Sequence, residues 1–180
     1  MRIVFAWVLT FAAVSGFAAE FRLSSPTVKD GATIGREQVY NGFGCTGANI
    51  SPELQWENAP AGTRSFAVTV FDPDAPGSGW WHWLIFNIPA SVSRLVAGAG
   101  TVKGGAAPKS SLQSVTDFET PGYGGPCPPE GDQPHRYVFT VYALKVDRVP
   151  LKASAGGAMV ESYLKQNSVG NASFTARYGR

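Results

Sequence analysis

Three segments of the chain alternate with a period of two residues and carry apolar side chains on both faces, which restricts the fold more than any other feature. They are residues 65–72 (SFAVTVFD), 82–88 (HWLIFNI) and 136–144 (RYVFTVYAL). Alternation of this kind predicts β-strands, and apolar residues on both faces predict strands at the centre of a sheet. Because irregular segments join them, we predict an all-β, single-domain sandwich of two antiparallel sheets with Greek-key connections and one or two short covering helices.

The pattern also predicts which side chains share a face. In the second segment, His82, Leu84, Phe86 and Ile88 are expected on one face. Shorter strands are expected at residues 21–24, 54–56 and 173–178. One helix is expected after Ser154 as N-cap and before Gly170. Its inner face would carry four apolar side chains, Met159, Val160, Tyr163 and Leu164. On its outer face Glu161 would pair with Lys165.

Composition narrows the class of protein. The chain has 180 residues and a net charge of +2 without a basic run, which argues against a nucleic-acid partner. Its 44% hydrophobic residues are enough to form a core. The 21 Gly and 13 Pro favour a fold with little helix, and 14 of them lie in residues 98–134. Since so long a loop in a compact domain is usually functional or disordered, we expect this one to be ordered and functional.

The first residues are typical of a secretory signal peptide. Met1-Arg2 supplies a positive charge, residues 3–17 are uncharged and mostly apolar, and Gly16 and Ala18 are the small residues that precede a cleavage site. Cleavage after Ala18 would leave residues 19–180, with a net charge of +1, in the periplasm or outside the cell. A membrane anchor is the alternative, but the apolar run is short for one and no other segment could span a membrane.

The two cysteines, Cys45 and Cys127, are an even pair in a chain expected to be exported. An oxidising compartment favours a disulfide between them, which would stabilise the fold by about 4 kcal/mol. Two free thiols or one catalytic thiol are the alternatives, and two cysteines alone are too few for a structural zinc site.

Polar side chains lie at one end of each predicted central strand. The first strand runs into Asp72 and Asp74, the second begins at His82, and the third begins just after His135. If the strands are antiparallel neighbours, these ends meet, so both histidines of the chain and two aspartates could line one pocket. The alternative, purely structural interpretation is that the aspartates form a turn and the histidines are packed in the core.

Three motifs together are specific. They are DPDAP at Asp72–Pro76, W-x-H at Trp80–His82, and GPCPPEG followed by HRY in Gly125–Tyr137. In this order and spacing they resemble the phosphatidylethanolamine-binding protein family, also called Raf kinase inhibitor-like proteins. In an exported chain, NGFGCTG at Asn41–Gly47 and ISPEL at Ile50–Leu54 resemble its bacterial periplasmic branch.

The resemblance implies a non-enzymatic binding protein without a cofactor or metal. Its small pocket would take an anion such as phosphate, acetate or a phospholipid headgroup, and it could inhibit or modulate a partner kinase or protease. The family commonly has Gly where Cys127 stands, and the C-terminal tail of its eukaryotic members has no clear match. The candidate ligand-binding residues are Asp72, Asp74, Ala75, Pro76, His82, Pro128, Pro129, His135 and Tyr137.

Two other functions compete with this interpretation. Two His and two Asp could compose the acid-base pair of a hydrolase, although the chain has no G-x-S-x-G motif. His82, His135 and an aspartate also suit zinc, although neither histidine belongs to a close-spaced metal motif.

Overall fold

The computed structural model describes residues 19–102 and 105–180. The predicted signal peptide, residues 1–18, lies outside them. The described chain contains ten strands and one helix: β1 Arg22–Ser24, β2 Asn41–Gly42, β3 Cys45–Thr46, β4 Leu54–Glu57, β5 Ser65–Asp72, β6 Trp80–Pro89, β7 Arg94–Leu95, β8 Leu112–Gln113, β9 His135–Leu144, α1 Gly157–Asn167 and β10 Ser168–Tyr178.

Two antiparallel sheets pack face to face, as predicted. The larger sheet has the strand order β10-β9-β5-β6-β8, and the smaller one has the order β1-β4-β7. Strands β5, β6 and β8 are successive neighbours, and β9 returns beside β5, which is the order of a Greek key. The hairpin of β2 and β3 stands apart from both sheets.

The core has one layer on each face of the larger sheet. Leu54 and Trp56 of the smaller sheet pack against a layer that includes Val68 and Phe139. On the opposite face, α1 places Val160 and Leu164 in a second apolar cluster. Both faces of the central strands are therefore covered, which explains why their sequences are apolar throughout.

The predicted face pattern of β6 is wrong at both ends because the strand contains two irregularities. Leu84 and Phe86 share a face, but Ile88 lies in the opposite core layer. Between them the register with β5 shifts at Asn87, which has a φ of +61°. A second shift leaves His82 without a partner in β5. One extra residue in a strand reverses the alternation that follows it.

The helix also differs from its prediction. Its N-cap is Gly156 rather than Ser154, and it ends before Ser168, so Gly170 lies inside β10. Met159 is 61% exposed instead of buried. The predicted Glu161–Lys165 ion pair is present, with 2.9 Å between Lys165 Nζ and Glu161 Oε1. No described helix has the length and apolar character needed to cross a membrane.

Candidate functional site

A pocket of about 180 Å³ opens where β5 ends and where β6 and β9 begin. Strand β5 lies between the other two and is antiparallel to both, so its exit meets their entries. This is the arrangement predicted from the polar strand ends. Eight of the nine candidate residues line the pocket together with four others; the lining is Phe43, Asp72, Ala75, Pro76, Trp80, His82, Phe118, Cys127, Pro128, Pro129, His135 and Tyr137.

Asp72 is both a turn former and a partner of His135. Its side chain is buried, and Oδ1 accepts hydrogen bonds from the backbone N–H groups of Asp74 and Ala75 at 2.8 and 3.1 Å. Oδ2 accepts from His135 Nδ1 at 2.7 Å. The other nitrogen of His135, Nε2, lies 3.6 Å from Asp132. The carboxylate therefore orients His135 while it closes the DPDAP turn.

His82 lies at the irregularity near the start of β6, where it has no partner in β5, and its ring lines the pocket. Its Nδ1 donates to the carbonyl oxygen of Gly124 at 2.7 Å. The ring meets Phe118 and Tyr137 edge-on, with centroids 5.3 and 5.1 Å away. Burial lowers the pKa of His82 to about 4, although the Gly124 carbonyl and the Asp72 charge act in the opposite direction. At neutral pH this imidazole is uncharged.

Tyr137 contributes a buried hydroxyl group. The residue is 1% exposed, and its hydroxyl makes no hydrogen bond of normal length and angle in the described part of the chain. Burial raises the pKa of the phenol, and the charge of Asp72 and a weak contact with its carboxylate act in the same direction, so the phenol keeps its proton. A buried donor without a partner costs about 1–3 kcal/mol, which a ligand in the pocket would recover by accepting from it.

Asp74 is the one candidate residue that the structure places outside the pocket. Its carboxylate forms a bidentate pair with Arg136, with Arg136 Nη2 donating to Oδ1 at 2.7 Å and Nε donating to Oδ2 at 2.9 Å. It also accepts from the backbone N–H of Arg136 at 2.8 Å. Asp72 therefore faces the pocket, whereas Asp74, two residues further along the turn, fastens the turn to the start of β9.

Two aromatic residues of the pocket were missed by the sequence analysis. Phe43 lies at the turn of the β2–β3 hairpin with a φ of +53°, and Phe118 comes from the long segment before β9. Their rings are nearly parallel, with centroids 6.0 Å apart, and Trp80 meets Phe118 edge-on at 5.5 Å. The sequence signal for Phe43 was its position between two glycines in the NGFGC motif, which indicates a tight turn. A bulky residue rarely adopts positive φ, so its occurrence in such a turn points to a functional role.

The predicted disulfide between Cys45 and Cys127 is present, and it holds one wall of the pocket. It joins β3 to the Pro-rich segment, with 6.0 Å between the Cα atoms. Arg180 reinforces the same junction, since its Nε donates to the carbonyl of Pro128 at 2.7 Å and its Nη2 to that of Phe43 at 3.3 Å.

The chemistry of the lining bears on the two competing functions. No serine or threonine is among the lining residues, and the sulfur of Cys127 is bonded to Cys45. Among residues 19–102 and 105–180, no three His, Cys, Asp or Glu side chains come together as metal ligands. The lining does offer a phenol, which donates to an oxyanion, and two imidazoles, whose second nitrogen accepts when the ring is neutral and donates when it is protonated.

Comparisons with known proteins agree with this geometry. A family model described as phosphatidylethanolamine-binding protein matches residues 24–179. The UPF0098 protein YbcL of Escherichia coli is 46% identical over 172 residues, which cover 95% of this chain and 94% of YbcL. The UPF0098 protein YbhB of the same organism is 46% identical over 87% of this chain and 99% of its own length.

Solved structures show the same architecture. The crystal structure of E. coli YbcL, described as a new member of the mammalian PEBP family, has a TM-score of 0.88 over 90% of this chain and 99% of that one. The homolog CT736 from Chlamydia trachomatis has a TM-score of 0.74 at 27% identity, over 89% of this chain and 97% of that one. The fold, the motifs and these matches together show that the chain belongs to the phosphatidylethanolamine-binding protein family.

Proposed function

We propose that the protein is an exported, non-enzymatic binding protein whose pocket holds a small anionic group, such as phosphate, acetate or a phospholipid headgroup. The observation that carries the proposal is the buried hydroxyl of Tyr137, which makes no normal hydrogen bond to residues 19–102 or 105–180, in a side chain that lines the same pocket as His82 and His135. A ligand oxygen that accepts from this hydroxyl would satisfy it.

The size and walls of the pocket support a small ligand. A water molecule occupies about 30 Å³ in the liquid, so a pocket of about 180 Å³ has room for a group of several heavy atoms. Prolines and aromatic rings form its walls, and Phe43 at its edge is 67% exposed. An anionic group would occupy the interior while the rest of the ligand contacts this apolar edge.

Export is supported by two features of the chain. The family model begins at residue 24, so the apolar leader lies outside it. The disulfide between Cys45 and Cys127 is of the kind found in oxidising compartments. By family resemblance, this protein with its ligand bound would modulate a partner kinase or protease. An exported protein would meet such a partner outside the cytoplasm.

Titration with phosphoethanolamine tests the binding proposal. We expect saturable shifts in the NMR signals of both histidine rings, since each lines the pocket, and loss of the response in His135→Ala. Tyr137→Phe should weaken binding by about 5- to 100-fold, because it removes the hydroxyl donor. Arg64→Ala is the control: Arg64 is exposed and pairs with Asp147 outside the pocket, so binding should not change.

Histidine signals that do not move at any ligand concentration would contradict the proposal. A panel of phosphoesterase and esterase substrates tests its non-enzymatic part. Turnover that disappears in the His82→Ala variant would overturn that part and favour the hydrolase.

A further inference from the structure

We propose that the pocket selects anions that carry an acidic hydroxyl of their own, and that it therefore binds phosphomonoesters in preference to sulfate and phosphodiesters. The acceptor that makes this selection is Nε2 of His82. The inference rests on the proposed function and narrows it to one ligand class.

The hydrogen bond between His82 and Gly124 fixes which ring nitrogen carries the proton. A backbone carbonyl oxygen only accepts, so the 2.7 Å contact with Nδ1 requires Nδ1 to donate. In a neutral imidazole the other nitrogen is then an acceptor. The hydrogen bonds of the described residues include none at Nε2, and the ring lines the pocket. The ligand therefore meets a lone pair at this position.

The groups around His82 do not supply a free positive charge to the pocket. Asp72 and Asp117 face it with negative charge, and the Gly125 carbonyl lies close by. Asp72 is hydrogen-bonded to His135, and Asp117 accepts from the backbone N–H of Trp81 at 2.6 Å. Tyr137, whose ring contacts His82, is a neutral donor. A dianion in the pocket would thus meet the carboxylate of Asp72 and a lone pair, while Asp117 adds negative charge near His82 from outside the lining.

Protonation of His82 could remove this lone pair, but it is unfavourable at neutral pH. With a pKa of about 4, the ring holds a second proton in only about one molecule in a thousand at pH 7. A sulfate or a phosphodiester anion has no hydroxyl at neutral pH, so its hydrogen bond to Nε2 forms only when His82 is protonated. A phosphomonoester monoanion donates its own P–OH to Nε2 while another of its oxygens accepts from Tyr137.

Calorimetry on the whole protein tests the selection with pairs of probes. Phosphoethanolamine is a monoester and glycerophosphoethanolamine is a diester with the same amine, while phosphate and sulfate differ chiefly in the retained proton. At pH 6 we expect the diester and sulfate to bind about 5- to 150-fold more weakly than their counterparts, which corresponds to one buried acceptor left unpaired.

The pH dependence gives a second, independent measurement. The second pKa of a phosphomonoester is about 6, so the monoanion becomes tenfold rarer per pH unit above it. The affinity for phosphoethanolamine should fall about tenfold between pH 7 and pH 8. Titrations in two buffers of different ionisation enthalpy should show the uptake of about one proton per ligand bound at pH 8.

Two variants separate the acceptor from the donor. His82→Gln offers an amide that can donate as well as accept, so the preference for phosphate over sulfate should shrink towards one. Tyr137→Phe should weaken both anions and leave their ratio unchanged. If His82→Gln does not fold, the probe pairs and the proton uptake of the unaltered protein decide alone.

The outcomes distinguish the two proposals. If neither monoester nor diester binds, the proposed function fails, and this inference with it. If the diester and sulfate bind within about threefold of their counterparts with no uptake of protons, anion binding stands and the selection by His82 is wrong.

Discussion

Asp72 and Asp74 are two positions apart in the sequence and lie in different environments. Asp72 is 3% exposed and hydrogen-bonded to His135, whereas Asp74 pairs with Arg136 outside the pocket. Hydrogen bonds from Arg136 lower the pKa of Asp74 to about 2. The DPDAP motif thus supplies one residue that lines the pocket, Asp72, and one that only pairs with Arg136, Asp74. Their spacing in the sequence does not distinguish the two roles.

The Asp74→Asn variant tests the second assignment through pH. A carboxyl with a lowered folded-state pKa stabilises the protein above its unfolded value, about 3.9, and this stability is lost as pH falls through about 2. We expect the variant to be less stable by under about 1 kcal/mol above pH 4, because Arg136 is half exposed and solvent screens the pair. Urea unfolding between pH 2.5 and pH 7 should show this difference shrinking on acidification.

Asp147→Asn is the matched control. Asp147 also pairs with an arginine, Arg64, but both side chains are more exposed, so a smaller change is expected. The pKa assigned to Asp74 would be wrong if the difference in unfolding free energy between the wild type and Asp74→Asn were as large at pH 2.5 as at pH 7. Neither variant should lose affinity for phosphoethanolamine, because neither aspartate lines the pocket.

Among the elements, β6 matters most for the site because its irregularities decide which side chains reach the pocket. His82 is unpaired with β5, and the neighbouring Trp81 packs on the opposite face with Leu84. Helix α1 covers that face and begins against the Trp81 ring. Trp81 thus links the position of the helix to that of His82, the next residue in the strand.

Gly157→Ala tests this contact between helix and strand. A Cβ at Gly157 would lie 2.2 Å from Cδ1 of Trp81, so either the ring or the helix must move. We expect a loss of about 1–3 kcal/mol in unfolding free energy, as for other overpacked sites, although alanine has the higher helix propensity. Urea unfolding followed by Trp fluorescence measures it.

Gly156→Ala is the control for the loss of glycine's backbone freedom at the same end of the helix. A Cβ there has no neighbour within 4 Å among the described residues, and Gly156 has a φ of −73°, which alanine adopts readily. Its expected effect is a change of under about 1 kcal/mol, because the lower entropy of the unfolded chain offsets the poorer N-cap preference of alanine. Equal losses in both variants would show that the Trp81 contact is not the cause.

Over the whole molecule, the pocket is assembled from segments far apart in the chain. The disulfide bridges a separation of 82 residues and fastens the β2–β3 hairpin to the Pro-rich wall. The segment before β9 contributes Phe118, and the C-terminal Arg180 closes the same wall. A long segment with little regular structure can hold a rigid wall because covalent and polar contacts fasten it at several points.

Removing the disulfide tests its contribution to stability and to the pocket. We expect the Cys45→Ala, Cys127→Ala double variant to lose up to about 4 kcal/mol, by loop-closure entropy, in urea unfolding. Its affinity for phosphoethanolamine should also fall, since the hairpin that carries Phe43 is no longer bonded to the segment that carries Pro128. Thiol titration of the denatured, unreduced protein should find no free thiol; two thiols per chain would contradict the bridge.

Much of the fold and of the candidate site follows from local patterns. The bounds of β5 were predicted to the residue, and β9 starts one residue earlier than predicted. Their apolar faces follow from period-two alternation, which depends only on backbone geometry. Asp72 and both histidines were predicted to lie together because antiparallel neighbours bring the end of one strand and the start of the next to the same edge, whereas Tyr137 followed from the family resemblance.

What could not be predicted depends on contacts between distant segments. The reversal of faces in β6, the start of α1 at Gly157 and the positions of Phe43 and Phe118 all follow from packing between distant segments. The sequence alone therefore determined the sandwich and the bounds of β5, since these depend on alternation along the chain. Only the tertiary structure decided that Asp74 faces away from the pocket, that His82 donates to the Gly124 carbonyl and that the Tyr137 hydroxyl makes no normal hydrogen bond among the described residues. The reason is that a side chain's hydrogen-bond partners depend on which segments pack around it.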